Sequence, residues 1–269
     1  VTVRADRALY ERGLASSRTH AQRIIEEGRA RRGGQPIGRP STPVAADDVL
    51  EVVDVPEGGE YASRGAHKLV SALEAFQVSA AERICLDAGA STGGFTDVLL
   101  RQGASFVYAV DVGHDQLVPR LAEDARVSVM DGLNLRELTP DRLGQAPSLI
   151  VSDVSFISLT TIMEPLSACL ADGGEMVLMV KPQFEVGKAK LPKSGVVREP
   201  AQQADAVAKV VRAASGHGLE TIGVSASALP GQDGNREFFL HLRASPVAKA
   251  EANAVAYEMI EDAVHGGHR

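Results

Sequence analysis

At 269 residues the chain has room for one large domain and a smaller companion, and an apolar fraction of 44% is ordinary for a globular protein. No apolar run reaches the length of a membrane span and the start, Val1-Thr2-Val3-Arg4-Ala5-Asp6, lacks the pattern of a signal peptide, so a cytoplasmic location is expected; Cys85 and Cys169 are too few for a disulfide framework or a metal cage. The net charge of −7 is lopsided: nine Arg against four acidic residues leave +5 in residues 1–43, so −12 falls on the remainder. All nine cations are Arg, whose planar forks favour phosphate and base contacts over general solubility.

In chain order, Leu9 and Leu14 punctuate a short helical pattern, and Ser16-Ser17-Arg18 offers caps for a second helix through Ala21, Ile24 and Ile25 that stops at Gly28. A Gly/Pro-rich stretch to Pro43 and a strand at Val49–Val53 follow. This segment, with Gly13-Leu14-Ala15-Ser16-Ser17-Arg18 before a helix and Glu26-Glu27-Gly28-Arg29 after it, resembles the RNA-binding domain first described in ribosomal protein S-four. The resemblance implies a helix pair and loop that grip folded RNA, with Arg4, Arg18, Arg23, Arg29 and Arg39 as candidate RNA contacts. A DNA-binding helix-turn-helix is the weaker alternative, because a Gly-rich hairpin follows directly and no third helix is evident.

Asp54–Glu60 is a polar Pro/Gly linker. From Ser63 a helix runs through Leu69, Leu73 and Phe76, carrying Arg64, His67 and Lys68 on its first turns; for Arg64 and His67 an RNA contact competes with packing. Strands are predicted at Ile84–Asp87, Phe106–Asp111, Val127–Met130, Leu149–Asp153 and Met176–Lys181, most followed by helices, an alternation that specifies a doubly wound parallel sheet. Thr221–Ala228 and Glu237–Leu242, after a helix over 200–215, form an expected antiparallel hairpin at the sheet edge, and the tail from Pro246 is an expected surface helix. The expected domains are 1–56 for RNA binding, a linker at 57–63, an α/β domain at 64–245 and a helical tail at 246–269.

Gly89, Gly93 and Gly94 stand where the first sheet strand turns into a helix, so the backbone can approach a ligand and offer free amides. The turn departs from the dinucleotide pattern: Ser91 takes the place of the second glycine, and Asp87 stands two residues before the first. A carboxylate there repels pyrophosphate and suits a cationic ligand such as the methionine moiety of S-adenosylmethionine, which favours a methyltransferase over a nicotinamide enzyme. Asp111 is placed to accept ribose hydroxyls and Asp131-Gly132 to meet an adenine ring; Ser63, Thr92, Phe95 and Val112 complete the expected cofactor set. Singly, a glycine pair only turns the chain and an aspartate only caps a helix. Three acidic residues ending three successive strands on one side favour a ligand.

Asp153 and Lys181 end two strands at the same crevice, and their plain alternative is a salt bridge. His67, His114 and His217 have no triad partner in evident reach. Methyl transfer to a hydroxyl needs an oxygen relieved of its proton, which lysines oriented by carboxylates can manage without a metal; Lys68, Lys181, Asp153 and Glu237 are the candidates. At these residues the chain resembles the TlyA family: Ser63–Leu69, Leu86–Thr96, Ser152–Ser158, Val180–Gly187 and Gly234–Phe239 carry the likeness, which extends over nearly the whole sequence. It implies a Rossmann-like S-adenosylmethionine-dependent methyltransferase domain similar to the FtsJ group beside the small α+β RNA-binding domain. It also implies a Lys68-Asp153-Lys181-Glu237 tetrad with Lys181 as favoured proton acceptor, and a cytidine ribose of ribosomal RNA as target.

One departure and one likeness bear on the target. Dual-target members often carry Arg-Ala-Trp-Val where this chain has Gly59-Glu60-Tyr61-Ala62, whereas the tail around Glu261–His265 resembles those same members and favours both ribosomal subunits. The rival functions are an RNA-binding ribosome-assembly factor without catalysis, which tritium transfer would decide, and a membrane-active hemolysin, which liposome leakage would decide.

Overall fold

The computed structural model describes residues 2–53, 61–187, 189–231, 233–245 and 250–266, with side chains in the last helix from 256 onward. The expected linker Asp54–Glu60, with Gly59-Glu60, and the beginning of the tail at Pro246 lie outside the described residues.

The N-terminal part comprises β1 (Thr2–Arg4), α1 (Ala5–Glu11), α2 (Arg18–Glu26), β2 (Ala30–Arg32), β3 (Gln35–Pro36), β4 (Pro43–Ala45) and β5 (Leu50–Val52). Ser17 caps α2, its hydroxyl accepting from the His20 N–H, as its place before the helix predicts. Both helices bury Leu9, Ala21, Ile24 and Ile25 against Ile37 and Val44. β1 pairs antiparallel with β4, and β2 lies between β3 and β5.

The larger part runs α3 (Gly65–Phe76), β6 (Ile84–Ala88), α4 (Gly94–Arg101), β7 (Phe106–Val110), α5 (Pro119–Ala122), β8 (Val127–Met130), β9 (Leu149–Ser152), α6 (Leu159–Cys169), β10 (Glu175–Val180), α7 (Pro182–Glu185), α8 (Pro200–Gly216), β11 (Leu219–Ala226), β12 (Phe238–Ala244) and α9 (Ala250–His265). The seven strands lie in the order β11-β12-β10-β9-β6-β7-β8. The five from β10 to β8 are parallel, and β12 is antiparallel to both neighbours. The expected antiparallel hairpin lies at the sheet edge, with β12 beside β10 and β11 outermost.

Side chains alternate across the sheet, so each strand feeds two cores. Leu86, Ile150, Leu178 and Leu240 pack with α6 and α8 on one face. Cys85, Val107, Leu149 and Val177 pack with Leu69, Leu73 and Leu99 of α3 and α4 on the other. Each such apolar side chain removed from water contributes about 1.5–3 kcal/mol before entropy is charged against it. The tail forms the expected surface helix and docks by one face: Ala256, Ile260 and Val264 form a buried stripe in the first core, and Arg236 donates to the carbonyls of Ala263 and Val264. It is a docked helix.

Candidate active site

The chain reverses across the sheet between β6 and β9, moving outward through β7 and β8 on one side and through β10 on the other. Loops leaving the carboxyl ends of β6 and β9 therefore diverge, which leaves a crevice above them. A cavity of about 660 Å³ lies there, walled by the Gly89–Thr92 turn, the loop after β9, the turn after β10 and Glu237.

Both lysine–carboxylate pairs face this cavity. Lys68, from α3, places Nζ 2.6 Å from Glu237 Oε2 just before β12, and both side chains are buried. Lys181, just past β10, places Nζ 2.6 Å from Asp153 Oδ1 and donates to Ser155 Oγ at 2.8 Å. Asp153 Oδ1 has no aligned hydrogen-bond donor, so its contact with Lys181 is a close charge pair. The start of α3 abuts the same loop: a side chain at Gly65 would come within 3.6 Å of Asp153 Oδ2 and 3.3 Å of Ser63 Oγ. The structure thus brings together, around one cavity, four residues spread from position 68 to 237.

The glycine turn is as tight as its composition predicts. Gly89 has φ 93°, and a β-carbon there would meet the Asp153 carbonyl oxygen at 3.2 Å; at Gly94 it would strike Ser63 Oγ at 2.1 Å. Ser63, Ser91, Thr92, Gly94 and Phe95 line the cavity. Asp87 does not, which corrects its expected place on the wall. It is fully buried beneath the turn, accepting from Thr96 Oγ1 at 2.7 Å, while its Oδ1 has no partner. Burial above all, with Asp153 and Asp111 nearby, pushes its carboxyl up to about 7 against the pull of the Thr96 hydrogen bonds.

The expected nucleoside side lies outside this cavity. Asp111 accepts from the Ser91 and Gly113 N–H groups at 2.8 and 2.7 Å, and Asp131 accepts from the Asp115 N–H at 2.8 Å. The loop between them lies over the glycines: the spaces where β-carbons would stand are filled at Gly93 by Leu117 and Leu121 and at Gly132 by the His114 ring. Val112 is exposed.

Three residues carry a signal that the motifs mask. Phe156 is 90% exposed with φ 64°, and its ring lies 5.3 Å from that of Phe184 on the cavity wall. Ser155 holds Lys181. An aromatic and a hydroxyl directly after a strand-ending aspartate were the available clue.

The expected RNA contacts divide into free and structural groups. Arg4 and Arg18 are exposed and converge on Asp6, at 3.0 and 3.2 Å. Burial would raise Asp6, but hydrogen bonds from Arg4, Gln22 and Arg18 outweigh it and hold the carboxyl well below the usual range. Arg23 is exposed beside Glu27, and Arg39 is exposed against Gly234. Arg29 is buried, donating to the Val53 carbonyl and to Glu27, which makes it a packing residue. Arg64 donates to the Pro230 carbonyl at 2.7 Å and lines both the main cavity and a smaller one at the domain junction. His67 sits at that junction beside Gly28 and edge-on to Tyr61; burial, then Arg29 and Arg31, lower it to about 4, so it is a neutral packing ring.

This arrangement has counterparts. The FtsJ-like methyltransferase family matches residues 61–244, and the S4 domain matches residues 3–50. The chain is 47% identical over 262 residues to the 16S/23S rRNA (cytidine-2′-O)-methyltransferase TlyA of Mycobacterium tuberculosis, covering 97% of this chain and 96% of that protein. The chain belongs to the TlyA family of FtsJ-like methyltransferases. Within that family it is also similar to Hemolysin A of Brachyspira hyodysenteriae, 35% identical with 89% of this chain and 99% of the relative covered. A solved structure from Streptococcus thermophilus that carries a hemolysin name superposes with a TM-score of 0.73, 36% identity, and coverage of 97% and 95% of the two chains. Among the described residues no helix is long and apolar enough to cross a membrane, and no three His, Cys, Asp or Glu side chains could hold a metal ion.

Proposed function

We propose that this TlyA-family protein transfers a methyl group from S-adenosylmethionine to the 2′-hydroxyl of a cytidine in ribosomal RNA, on both subunits and in the cytoplasm. The observation that carries it is the pair of lysine–carboxylate contacts facing one cavity at the sheet's reversal point. The residues present fit the cofactor: the turn at Gly89 excludes a side chain, and the buried Asp87 beneath it, its Oδ1 unpartnered, can ionise opposite a cation. Ser63, Gly89, Ser91, Thr92, Gly93, Gly94 and Phe95 would hold it, with Asp111, Val112, Asp131 and Gly132 toward its nucleoside. When bound, S-adenosylmethionine supplies an electrophilic methyl group on a sulfonium.

The chain's own residues do the rest. Lys181 is the acceptor of the ribose proton, with Asp153 2.6 Å from its Nζ to stabilise the positive charge and Ser155 to aim it. Lys68, held by Glu237, sets a second cation against the oxygen as its negative charge develops. A ribose inside a helix is out of reach, so the nucleotide must be extruded, and the exposed Phe156 ring offers its base a stacking surface. The Arg4 and Arg18 forks bind phosphate and bring RNA to an otherwise acidic protein. The dual target follows the Mycobacterium relative, whose name covers both rRNAs, and the resemblance of the tail around Glu261–His265 to dual-target members. Supplying tritiated S-adenosylmethionine to unmethylated small and large subunits separately tests the proposal. Label in rRNA from each is expected; label in one restricts the target, and label in neither removes the activity.

A further inference from the structure

Glu185 closes α7, the single turn that follows Lys181, and it is buried although it belongs to neither lysine pair. Its carboxylate accepts from two groups of the neighbouring segment, Ser158 Oγ at 2.5 Å and the Leu159 N–H at 2.7 Å. From behind, Lys209 of α8 donates to the Glu185 carbonyl oxygen at 2.9 Å and stands 3.7 Å from the carboxylate. Burial raises the Glu185 carboxyl above its ordinary range, against the opposing pull of Ser158, Leu159 and Lys209.

The two segments joined by these bonds carry most of the cavity's working groups. Asp153, Ser155 and Phe156 lie on the loop after β9, and Lys181 and Phe184 lie on the turn after β10. Phe156 takes φ 64°, a left-handed conformation that a side chain adopts only when its surroundings hold it. The Glu185 bonds attach two and three residues further on, at the point where the loop enters α6. Three contacts join the segments at the cavity among the described residues, Lys181 with Asp153, Lys181 with Ser155 and Phe156 with Phe184, and each involves a group that must meet substrate. Glu185 holds the same gap without facing it.

We propose that Glu185 is a positioning residue: its buried carboxylate clamps the loop after β9 to the turn after β10. The clamp sets Lys181 against Asp153 and Ser155 and stands Phe156 at the cavity rim. The inference rests on the methyl-transfer reading. A glutamate that merely capped α6 would affect melting and leave turnover per folded molecule alone.

Full-length protein and its Glu185→Leu, Glu185→Gln and Ser158→Ala variants would be compared in tritium transfer to rRNA, with S-adenosylmethionine affinity and backbone hydrogen exchange measured on the same samples. Glu185→Leu is expected to lower kcat roughly ten- to a hundred-fold with cofactor affinity within about two-fold, since a misplaced reacting group costs rate more than binding. Glu185→Gln, whose amide oxygen still accepts from the Leu159 N–H, recovers most of the rate, and Ser158→Ala loses several-fold. Wild-type kcat in folded Glu185→Leu overturns the proposal; if that variant does not fold, wild-type kcat in Ser158→Ala does so. Absence of transfer by the unsubstituted protein counts against the methyl-transfer reading alone. The clamp is then decided by exchange: residues 153–159 lose protection in the variants while β9 and β10 keep it, and unchanged protection there overturns it.

Discussion

The protein carries its cations in two settings. In the N-terminal part, the Arg4 and Arg18 side chains are 49% and 55% exposed, and their guanidinium groups donate to a fully buried Asp6, which fixes the forks at the surface. In the sheet domain, the Lys68 and Lys181 side chains are only 9% and 10% exposed, each against its own carboxylate. Exposed arginines keep their charge and trade counterions for phosphates, so their contribution is long-ranged and weakened by salt. Enclosed lysines feel strong, short-range fields from the carboxylates beside them, which salt screens little. On the proposed reading, one setting delivers RNA and the other acts on a single hydroxyl.

The largest expected effect separates the two. Lys181→Ala should lower methyl transfer by at least about 10²–10⁴-fold, the range for loss of a positioned proton acceptor, while RNA affinity in a filter-binding assay stays near wild type. A variant that loses RNA binding and turnover together would merge the two settings.

Next come the buried charges as stability determinants. In the folded chain Asp87 keeps its proton up to about 7, whereas unfolded it releases it in the ordinary carboxylate range. The folded state therefore binds the extra proton, and Asp87 takes stability away as pH rises from about 4 to about 7, on the order of 4 kcal/mol at most. Asp87→Asn should thus gain on the wild type over that interval in denaturant melts. His67, lowered to about 4, acts in the opposite sense: the unfolded chain binds its proton first, so stability falls as pH drops from about 6.5 to about 4. His67→Gln should be relatively more stable below pH 6, and parallel melting curves across pH would remove the buried, neutral ring from the account.

How much of this is legible without coordinates differs between the settings. The parallel strands announce themselves as apolar runs because both sheet faces are covered, and Lys181 and Asp153 stand at their ends as charges. The tetrad is recognisable through its motifs. Strands of two or three residues such as β1 and β4 carry no period, and the insertion of β12 beside β10 is a matter of sheet order, which local pattern does not encode. Asp87 reads as a wall residue because a strand-end carboxylate looks the same whether its side chain faces the ligand or the floor. Arg29 likewise looks like its exposed neighbours until its partners, the Val53 carbonyl and Glu27, are seen. The tail stripe is spaced at i, i+4 and i+8, yet an Ala/Glu-rich helix hides it.

Smaller effects refine the comparison. Phe156→Ala should reduce kcat/KM for rRNA by about 5- to 150-fold, the measure of one base–aromatic stack at about 1–3 kcal/mol, with no loss of stability because the ring is exposed. Arg4→Ala or Arg18→Ala should weaken RNA binding by several-fold, lower the slope of log affinity against log salt by about one unit each, and leave kcat at saturation unchanged. A change in kcat from either would show that the arginine domain shapes the chemistry as well as delivery.

The central claim is that the enclosed lysine pairs act on one ribose oxygen. Its most direct measurement is to methylate isolated ribosomal subunits with tritiated S-adenosylmethionine, digest the rRNA to nucleosides and identify the labelled product for the unsubstituted protein and for Lys181→Ala. The account predicts label in 2′-O-methylcytidine alone and its disappearance in the variant. Label on a base, or undiminished 2′-O-methylcytidine from Lys181→Ala, would contradict it.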